Sequence, residues 1–173
     1  MTAPLARVTL VLGGARSGKS RYAETLVRAA GGGVYLATAQ ALDGEMEARI
    51  ARHRAERGSG WTTIEEPLEL ATALARGAQA GHPILVDCLT LWLSNLMGAG
   101  RAVEPETARL LAALKALPVP VVFVSNEVGL GIVPDNALAR AFRDEAGRLN
   151  QAVAAAAGRV VFLAAGLPMV LKG

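Results

Sequence analysis

Residues 8–20 read Val-Thr-Leu-Val-Leu-Gly-Gly-Ala-Arg-Ser-Gly-Lys-Ser, and this stretch decides the fold. Residues 8–12 form a short apolar run rich in β-branched side chains, which predicts a buried strand. Residues 20–30 carry apolar side chains at helical spacing and are followed by three glycines, which predicts a helix that stops there. The eight residues at the junction match G-x-x-x-x-G-K-S in the strand–loop–helix context that a phosphate-binding loop requires.

The residue types of this loop explain how it would hold a phosphate chain. Glycines let the backbone curl so that successive N–H groups point at phosphate oxygens, and the helix that follows adds its free N–H groups and dipole. Lys19 supplies a mobile positive charge to the β- and γ-phosphates, and the Ser20 hydroxyl is a ligand for Mg²⁺. The predicted phosphate contacts are Gly13, Gly14, Ala15, Arg16, Ser17, Gly18, Lys19 and Ser20.

Short apolar runs alternate with helical patterns along the rest of the chain. We expect further strands at residues 34–37, 84–87, 119–124, 160–164 and 169–171, with residues 61–65 as an edge strand. Helices are expected at residues 43–57, 67–80, 104–117 and 135–157, the last one capped by Asp135 with Leu138, Phe142, Leu149 and Val153 on one side. This order predicts an α/β fold of the RecA-like P-loop NTPase class, a mostly parallel central sheet with helices on both faces. We expect a single domain over residues 1–173.

Composition excludes several classes of protein. The 173 residues are 52% apolar, which excludes a disordered chain, and only 4% aromatic, which argues against a protein–protein interaction module. The net charge of +3 comes with three lysines and few aromatics, which disfavours a nucleic-acid-binding protein. One cysteine, no signal-peptide pattern and no apolar run of about 18 residues predict a cytoplasmic protein without a membrane span.

Two predicted strand ends carry polar residues. Asp87 follows three apolar residues at the end of a buried strand, where an acidic side chain can face Mg²⁺ or its water shell. The alternative is a solvated aspartate or a helix cap. Residues 125–127, Ser-Asn-Glu, end another strand, and the carboxyl ends of parallel strands are where open α/β sheets bind ligands. A polar turn explains these residues equally well.

His53 lies on the apolar side of the predicted helix over residues 43–57. At about 100° per residue it falls within the stripe of Met46 and Ile50, with Arg49 and Arg57 on the same side. Nearby cations favour the neutral, nucleophilic imidazole, and they could neutralise a phosphate brought to it. From the residues alone, a structural histidine in a core is the simpler interpretation.

Taken together, these residues resemble a known family, the bifunctional adenosylcobinamide kinases/adenosylcobinamide-phosphate guanylyltransferases of cobalamin biosynthesis. The phosphate loop alone is generic, and the resemblance depends on further blocks that extend over essentially the whole chain. These are residues 35–39, 43–46, 49–54, Trp61, residues 65–66, 86–90, the Ser-Asn-Glu-Val-Gly-Leu-Gly-Ile-Val-Pro block at 125–134, residues 142–144 and residues 147–151.

The resemblance implies two reactions. The first phosphorylates the aminopropanol hydroxyl of adenosylcobinamide with ATP or GTP; the second transfers GMP from GTP to that phosphate and releases pyrophosphate. It also implies that GMP passes through a histidine, and the matching position is His53. Some relatives carry two adjacent histidines; here Arg52 stands at the preceding position, which leaves His53 as the only candidate in this segment. The resemblance further implies a homotrimer and further nucleotide contacts at Thr38, Ala39, Gln40, Arg54, Arg57, Glu66 and Asp87.

Two other functions fit the phosphate loop. A small-molecule kinase without the transferase activity would keep the loop and leave His53 structural. A nucleotide-regulated switch would bind GTP tightly and make no phosphorylated cobinamide. Incubation with GTP alone separates the alternatives, because only the bifunctional enzyme forms a covalent GMP adduct.

Overall fold

The computed structural model describes residues 4–40 and 60–173. The predicted helix over residues 43–57 lies outside them. The strands are β1 Val8–Gly13, β2 Gly33–Ala37, β3 Trp61–Glu65, β4 Ile84–Asp87, β5 Val121–Asn126, β6 Arg159–Ala164 and β7 Leu167–Lys172. The helices are α1 Lys19–Ala29, α2 Leu70–Ala78, α3 Leu89–Gly98, α4 Val103–Ala116 and α5 Ala137–Ala156.

The strands form one seven-stranded sheet in the order β3-β2-β4-β5-β1-β6-β7. All neighbouring pairs are parallel except β6 and β7, which are antiparallel. The predicted edge strand over residues 61–65 is β3, and the predicted strand over residues 119–124 is β5, which lies near the centre of the sheet. The mostly parallel sheet confirms the predicted fold class.

Helices cover both faces of this sheet, which confirms the predicted layers. The helix α1 packs on β1, β4 and β5 on one face, around Val27 and Val122. The other face is covered by α2, α3, α4 and α5, whose core includes Trp92 and Phe123, exposed by 1% and 0%. Because the central strands are buried on both faces, they read in the sequence as continuous apolar runs.

The last long helix differs from its prediction in two ways. Its N-cap is Asn136 rather than Asp135, because the Asn136 side chain accepts a hydrogen bond of 2.7 Å from the Ala139 N–H. Leu138 was predicted on the same apolar side as Leu149 and Val153, but it is 71% exposed in the first turn, so this assignment was wrong. The helical period was correct, but the apolar face starts further along the helix.

The parallel strands bring four chain segments to one edge of the sheet. Gly13, Ala37, Asp87 and Asn126 are the last residues of β1, β2, β4 and β5, and parallel strands end on the same side. This is the edge at which α/β sheets bind ligands.

Among the described helices, none has the length and apolar content needed to cross a membrane.

Candidate active site

The phosphate loop connects β1 to α1 as the sequence predicts, and two of its glycines are required by geometry. Gly18 has φ +94°, a conformation that side chains other than glycine rarely adopt, and it is the N-cap of α1. At Gly13, an added Cβ would lie 2.4 Å from Ser17 Oγ and 2.8 Å from Leu163 O. A larger residue at either position would distort the curl of the backbone.

Lys19 lies at the start of α1 and turns back over the loop. Its Nζ donates a hydrogen bond of 3.1 Å to Gly14 O, so the ammonium group is held above the curl. Ser17 Oγ is buried beside Gly13 and has no hydrogen-bond partner among the described residues. The ammonium group held at the loop is suited to binding phosphate oxygens.

Two neighbouring segments hold the phosphate loop from outside. The Glu127 N–H, just beyond β5, donates a hydrogen bond of 3.0 Å to Gly13 O. The Gly166 N–H, in the turn between β6 and β7, donates one of 2.9 Å to Ser17 O. The loop is therefore fixed by two backbone contacts distant in sequence, which no pattern in the sequence predicted.

Asp87 ends β4 at the same edge and is partly buried. Its Oδ2 accepts a hydrogen bond of 2.7 Å from the Tyr35 hydroxyl on the neighbouring strand β2. The strand register places Ala37 opposite Asp87, so Tyr35 lies two residues back on the same face. Tyr35 was not a predicted site residue. The only feature of the sequence that pointed to it is a tyrosine, with its polar hydroxyl, within an otherwise apolar strand.

The Thr38 side chain is fully buried and engages the backbone of Cys88. Its hydroxyl donates to Cys88 O at 2.8 Å and accepts from Cys88 N at 2.9 Å. The amide of Asn95 donates to Thr38 O at 2.7 Å. Thr38 therefore joins the ends of β2 and β4, and the partly buried Ala39 and Gln40 follow it at the site edge.

Glu66 follows β3 and stabilises the turn before α2. Its Oε1 accepts hydrogen bonds of 3.0 Å from the N–H groups of Leu68 and Glu69, while its own N–H donates to Ala37 O at 2.9 Å. This brings Glu66 beside the end of β2, near Thr38. One carboxylate oxygen thus has a structural role.

A buried polar network supports the end of β5. Thr90 Oγ1, in the first turn of α3, accepts a hydrogen bond of 2.7 Å from the Asn126 N–H. The Ser125 hydroxyl donates to Asn150 Oδ1 at 2.7 Å, and Asn150 Nδ2 donates to Asn126 O at 3.2 Å. Of these four residues, only Ser125 and Asn126 were predicted from the sequence, as polar residues at a strand end. Asn150 could have been recognised only as a polar amide on the apolar side of α5.

Two further features lie near this edge. A cavity of about 510 Å³ between α5 and the sheet reaches Glu127 at the edge and extends along β6 and β7 to Val160 and Lys172. Cys88, next to Asp87, has its pKa raised to about 11, mainly by burial and then by the negative charge of Asp87. The thiol is therefore protonated at neutral pH and is a poor nucleophile.

The structure brings the phosphate loop, Thr38, Glu66 and Asp87 to the same edge of the sheet. His53, Arg54 and Arg57 lie outside the described residues. Among the described residues there is no cluster of three or more His, Cys, Asp or Glu side chains that could hold a metal alone.

Comparison with known proteins identifies close relatives. A family model described as cobinamide kinase/cobinamide phosphate guanyltransferase matches residues 9–171. The bifunctional adenosylcobalamin biosynthesis protein CobP of Pseudomonas aeruginosa is 55% identical over 167 residues, covering 95% of this chain and 96% of that protein. The similarly named CobU of Salmonella typhimurium is 43% identical, covering 94% of this chain and 98% of that protein.

Solved structures of distant proteins share the fold. The flagellar accessory protein FlaH of Methanocaldococcus jannaschii superposes with a TM-score of 0.54 at 14% identity, covering 98% of this chain and 79% of that one. The P4 protein of bacteriophage phi6, solved with ADP, gives 0.51 at 19% identity, covering 96% of this chain and 54% of that one. At this identity the likeness establishes the P-loop NTPase fold alone.

Proposed function

Because this chain belongs to the cobinamide kinase/cobinamide phosphate guanyltransferase family, it is a bifunctional enzyme, and we propose two reactions for it. It phosphorylates adenosylcobinamide with ATP or GTP. It then transfers GMP from GTP to adenosylcobinamide phosphate, giving adenosylcobinamide-GDP and pyrophosphate. The observation that carries the proposal is the phosphate loop, which lies at one edge of the sheet with Asp87 and Glu127 and can serve both reactions.

The triphosphate of either nucleotide lies in the loop of residues 13–20. Backbone N–H groups of the loop and the N-terminus of α1 bind the phosphate oxygens. Lys19, which turns back over the loop to Gly14 O, exchanges that carbonyl for the β- and γ-phosphates. This exchange concentrates positive charge where negative charge develops in the transition state.

Ser20 and Asp87 fit a Mg²⁺ ion by the chemistry of their donors. Mg²⁺ prefers oxygen ligands, usually one or two from the protein, with phosphate oxygens and water completing the shell. The Ser20 hydroxyl and the Asp87 carboxylate supply such ligands, and the Tyr35 hydroxyl on Oδ2 fixes the orientation of the carboxylate. When bound, Mg²⁺ neutralises charge on the phosphates. These residues, with Tyr35, would hold it there.

In the kinase reaction, the aminopropanol hydroxyl attacks the γ-phosphorus of the nucleotide. A new P–O bond forms to that hydroxyl oxygen, the bond to the β–γ bridging oxygen breaks, and the nucleoside diphosphate leaves. Glu127 is the carboxylate next to the loop, and we assign it the hydroxyl proton. Its N–H already bonds to Gly13 O, which places the residue beside the phosphate cradle.

In the transferase reaction, neutral His53 attacks the α-phosphorus of GTP. A P–N bond forms, the P–O bond to the β-phosphate breaks, and pyrophosphate leaves from the loop. A phosphate oxygen of adenosylcobinamide phosphate then attacks the same phosphorus and displaces His53. Arg54 and Arg57, close to His53 in sequence, would balance the charge of the phosphates.

The remaining predicted nucleotide contacts divide into two roles. Thr38 has a positioning role, because its hydroxyl already donates to and accepts from the backbone of Cys88 and so holds the end of β4 in place. Ala39, Gln40 and Glu66 lie at the site edge, where they can contact the nucleoside. We further propose that the protein is cytoplasmic and, by resemblance to the family, a homotrimer. Sedimentation velocity of the purified protein tests the oligomeric state.

Product analysis with adenosylcobinamide tests the proposed function. ATP alone is expected to give adenosylcobinamide phosphate, and adding GTP is expected to give adenosylcobinamide-GDP. Lys19→Ala should weaken nucleotide binding in both reactions, whereas Lys115→Ala, a surface lysine in the last turn of α4, should not. Normal GTP affinity in Lys19→Ala would contradict a loop shared by the two reactions.

A further inference from the structure

The segment that follows Glu127 exposes an unusual set of apolar side chains. We call residues 128–134, Val-Gly-Leu-Gly-Ile-Val-Pro, the apolar loop; it contains no charged residue. Leu130, Ile132 and Val133 are 82%, 97% and 62% exposed. Single exposed apolar side chains are common on protein surfaces, but several close together in one segment indicate a site that binds another molecule.

The two ends of the apolar loop are tied to the fold. Glu127 Oε1 accepts a hydrogen bond of 2.6 Å from the Gly129 N–H. At the other end, Arg140 Nη1 donates to Pro134 O at 2.9 Å and to Asp135 O at 2.7 Å. The loop therefore presents its aliphatic side chains from anchored ends.

The apolar loop begins at the wall of the phosphate cradle. The Glu127 N–H bonds to Gly13 O at 3.0 Å, and Asn126 pairs with Gly13 in the sheet register. At about 3.8 Å between consecutive Cα atoms, the Leu130 Cα lies no more than about 11 Å from that of Glu127. A molecule that reacts at the cradle and extends toward the loop would meet these side chains.

We propose that the apolar loop binds the corrin macrocycle of the acceptor while its aminopropanol arm reaches the cradle. This proposal rests on the proposed function, which requires a corrinoid acceptor much larger than a phosphate site. An uncharged aliphatic surface offers nothing to phosphate oxygens, but it suits the methyl groups and conjugated ring of a corrin. The other candidate occupant is a second copy of this chain.

The test measures binding of adenosylcobinamide by its visible absorption in equilibrium dialysis, without a nucleotide. In the Leu130→Ser/Ile132→Ser variant, each lost aliphatic contact is expected to raise the dissociation constant roughly tenfold. GTP affinity and the sedimentation coefficient should stay at wild-type values. Leu138→Ser, which removes an equally aliphatic side chain that is 71% exposed on α5, is the matched control.

Three results would overturn the proposal. Unchanged corrinoid affinity in the double variant would show that the loop does not touch the macrocycle. A smaller assembly in sedimentation would assign the loop to contacts between copies of the chain. An equal loss in Leu138→Ser would assign the effect to general surface hydrophobicity. If the wild-type protein neither binds nor phosphorylates adenosylcobinamide, the proposed function itself fails, whatever the loop variants show.

Discussion

The Tyr35 hydroxyl donates a hydrogen bond of 2.7 Å to Asp87 Oδ2, across the neighbouring strands β2 and β4. The acceptor is the only acidic residue of its strand, and it lies at the edge that carries the phosphate loop. A hydroxyl bound to one carboxylate oxygen fixes how the other oxygen faces the site. The Tyr35 hydroxyl therefore orients the carboxylate that we propose as a Mg²⁺ ligand.

Tyr35→Phe is expected to lower the apparent Mg²⁺ affinity in both reactions about tenfold or more, because losing a hydrogen-bond partner of a metal ligand commonly lowers metal affinity by about 10–100-fold. Steady-state rates over a Mg²⁺ titration measure this. Tyr22→Phe on α1 is the matched control and should behave as wild type. A Tyr35→Phe enzyme with an unchanged Mg²⁺ dependence would show that Asp87 does not need this contact.

Thr90→Val should lower the free energy of unfolding by about 1–3 kcal/mol, because it leaves the partly buried Asn126 N–H without its acceptor. The change is nearly isosteric, so packing is largely kept. Thr90→Ser retains the hydroxyl and should recover most of the loss. Urea unfolding of the three proteins measures the difference, and equal stability of the valine and serine variants would refute the role of this hydrogen bond.

The raised pKa of Cys88 predicts that the protein loses stability at alkaline pH. Burial and the charge of Asp87 raise the pKa of the Cys88 thiol from its ordinary value of 9.0 to about 11 in the folded protein, so above pH 9 the unfolded chain loses the thiol proton before the folded chain does. The unfolded state is thereby favoured, and stability falls with rising pH by about 1 kcal/mol between pH 8 and pH 10.

Urea unfolding at a series of pH values measures this slope. Cys88→Ala has no thiol to titrate, so the part of the slope due to Cys88 should disappear from it. Identical pH profiles for the two proteins would show that the thiol is not protected by burial.

Much of the fold was predictable because its signals are local. The apolar run before Gly13 and the helical spacing after Lys19 are properties of adjacent residues, and the structure has β1 and α1 there. The cap of α5 was misplaced because Asp135 and Asn136 are both good cap residues and adjacent in the sequence. The choice between them depends on the course of the preceding loop, which no local pattern specifies.

The same distinction between local signals and contacts distant in sequence applies to the residues of the candidate site. The positions of the phosphate loop and Asp87 at the same edge of the sheet could be predicted because a motif or a strand end marks them. Tyr35 and Asn150 could not, because their roles arise from strand register and helix packing between segments far apart in sequence. The exposure of Ile132 likewise became visible only once the core was known.

Incubation of the protein with α-labelled GTP and Mg²⁺, in the absence of a corrinoid, tests the central claim most directly. We predict one acid-labile GMP adduct per active site, mapped to His53 by mass spectrometry of its peptide. The adduct should be absent from His53→Ala, while that variant keeps its kinase activity with ATP. Acid-labile labelling that persists in His53→Ala, or no adduct in the wild-type protein, would contradict a guanylyl transfer through this histidine.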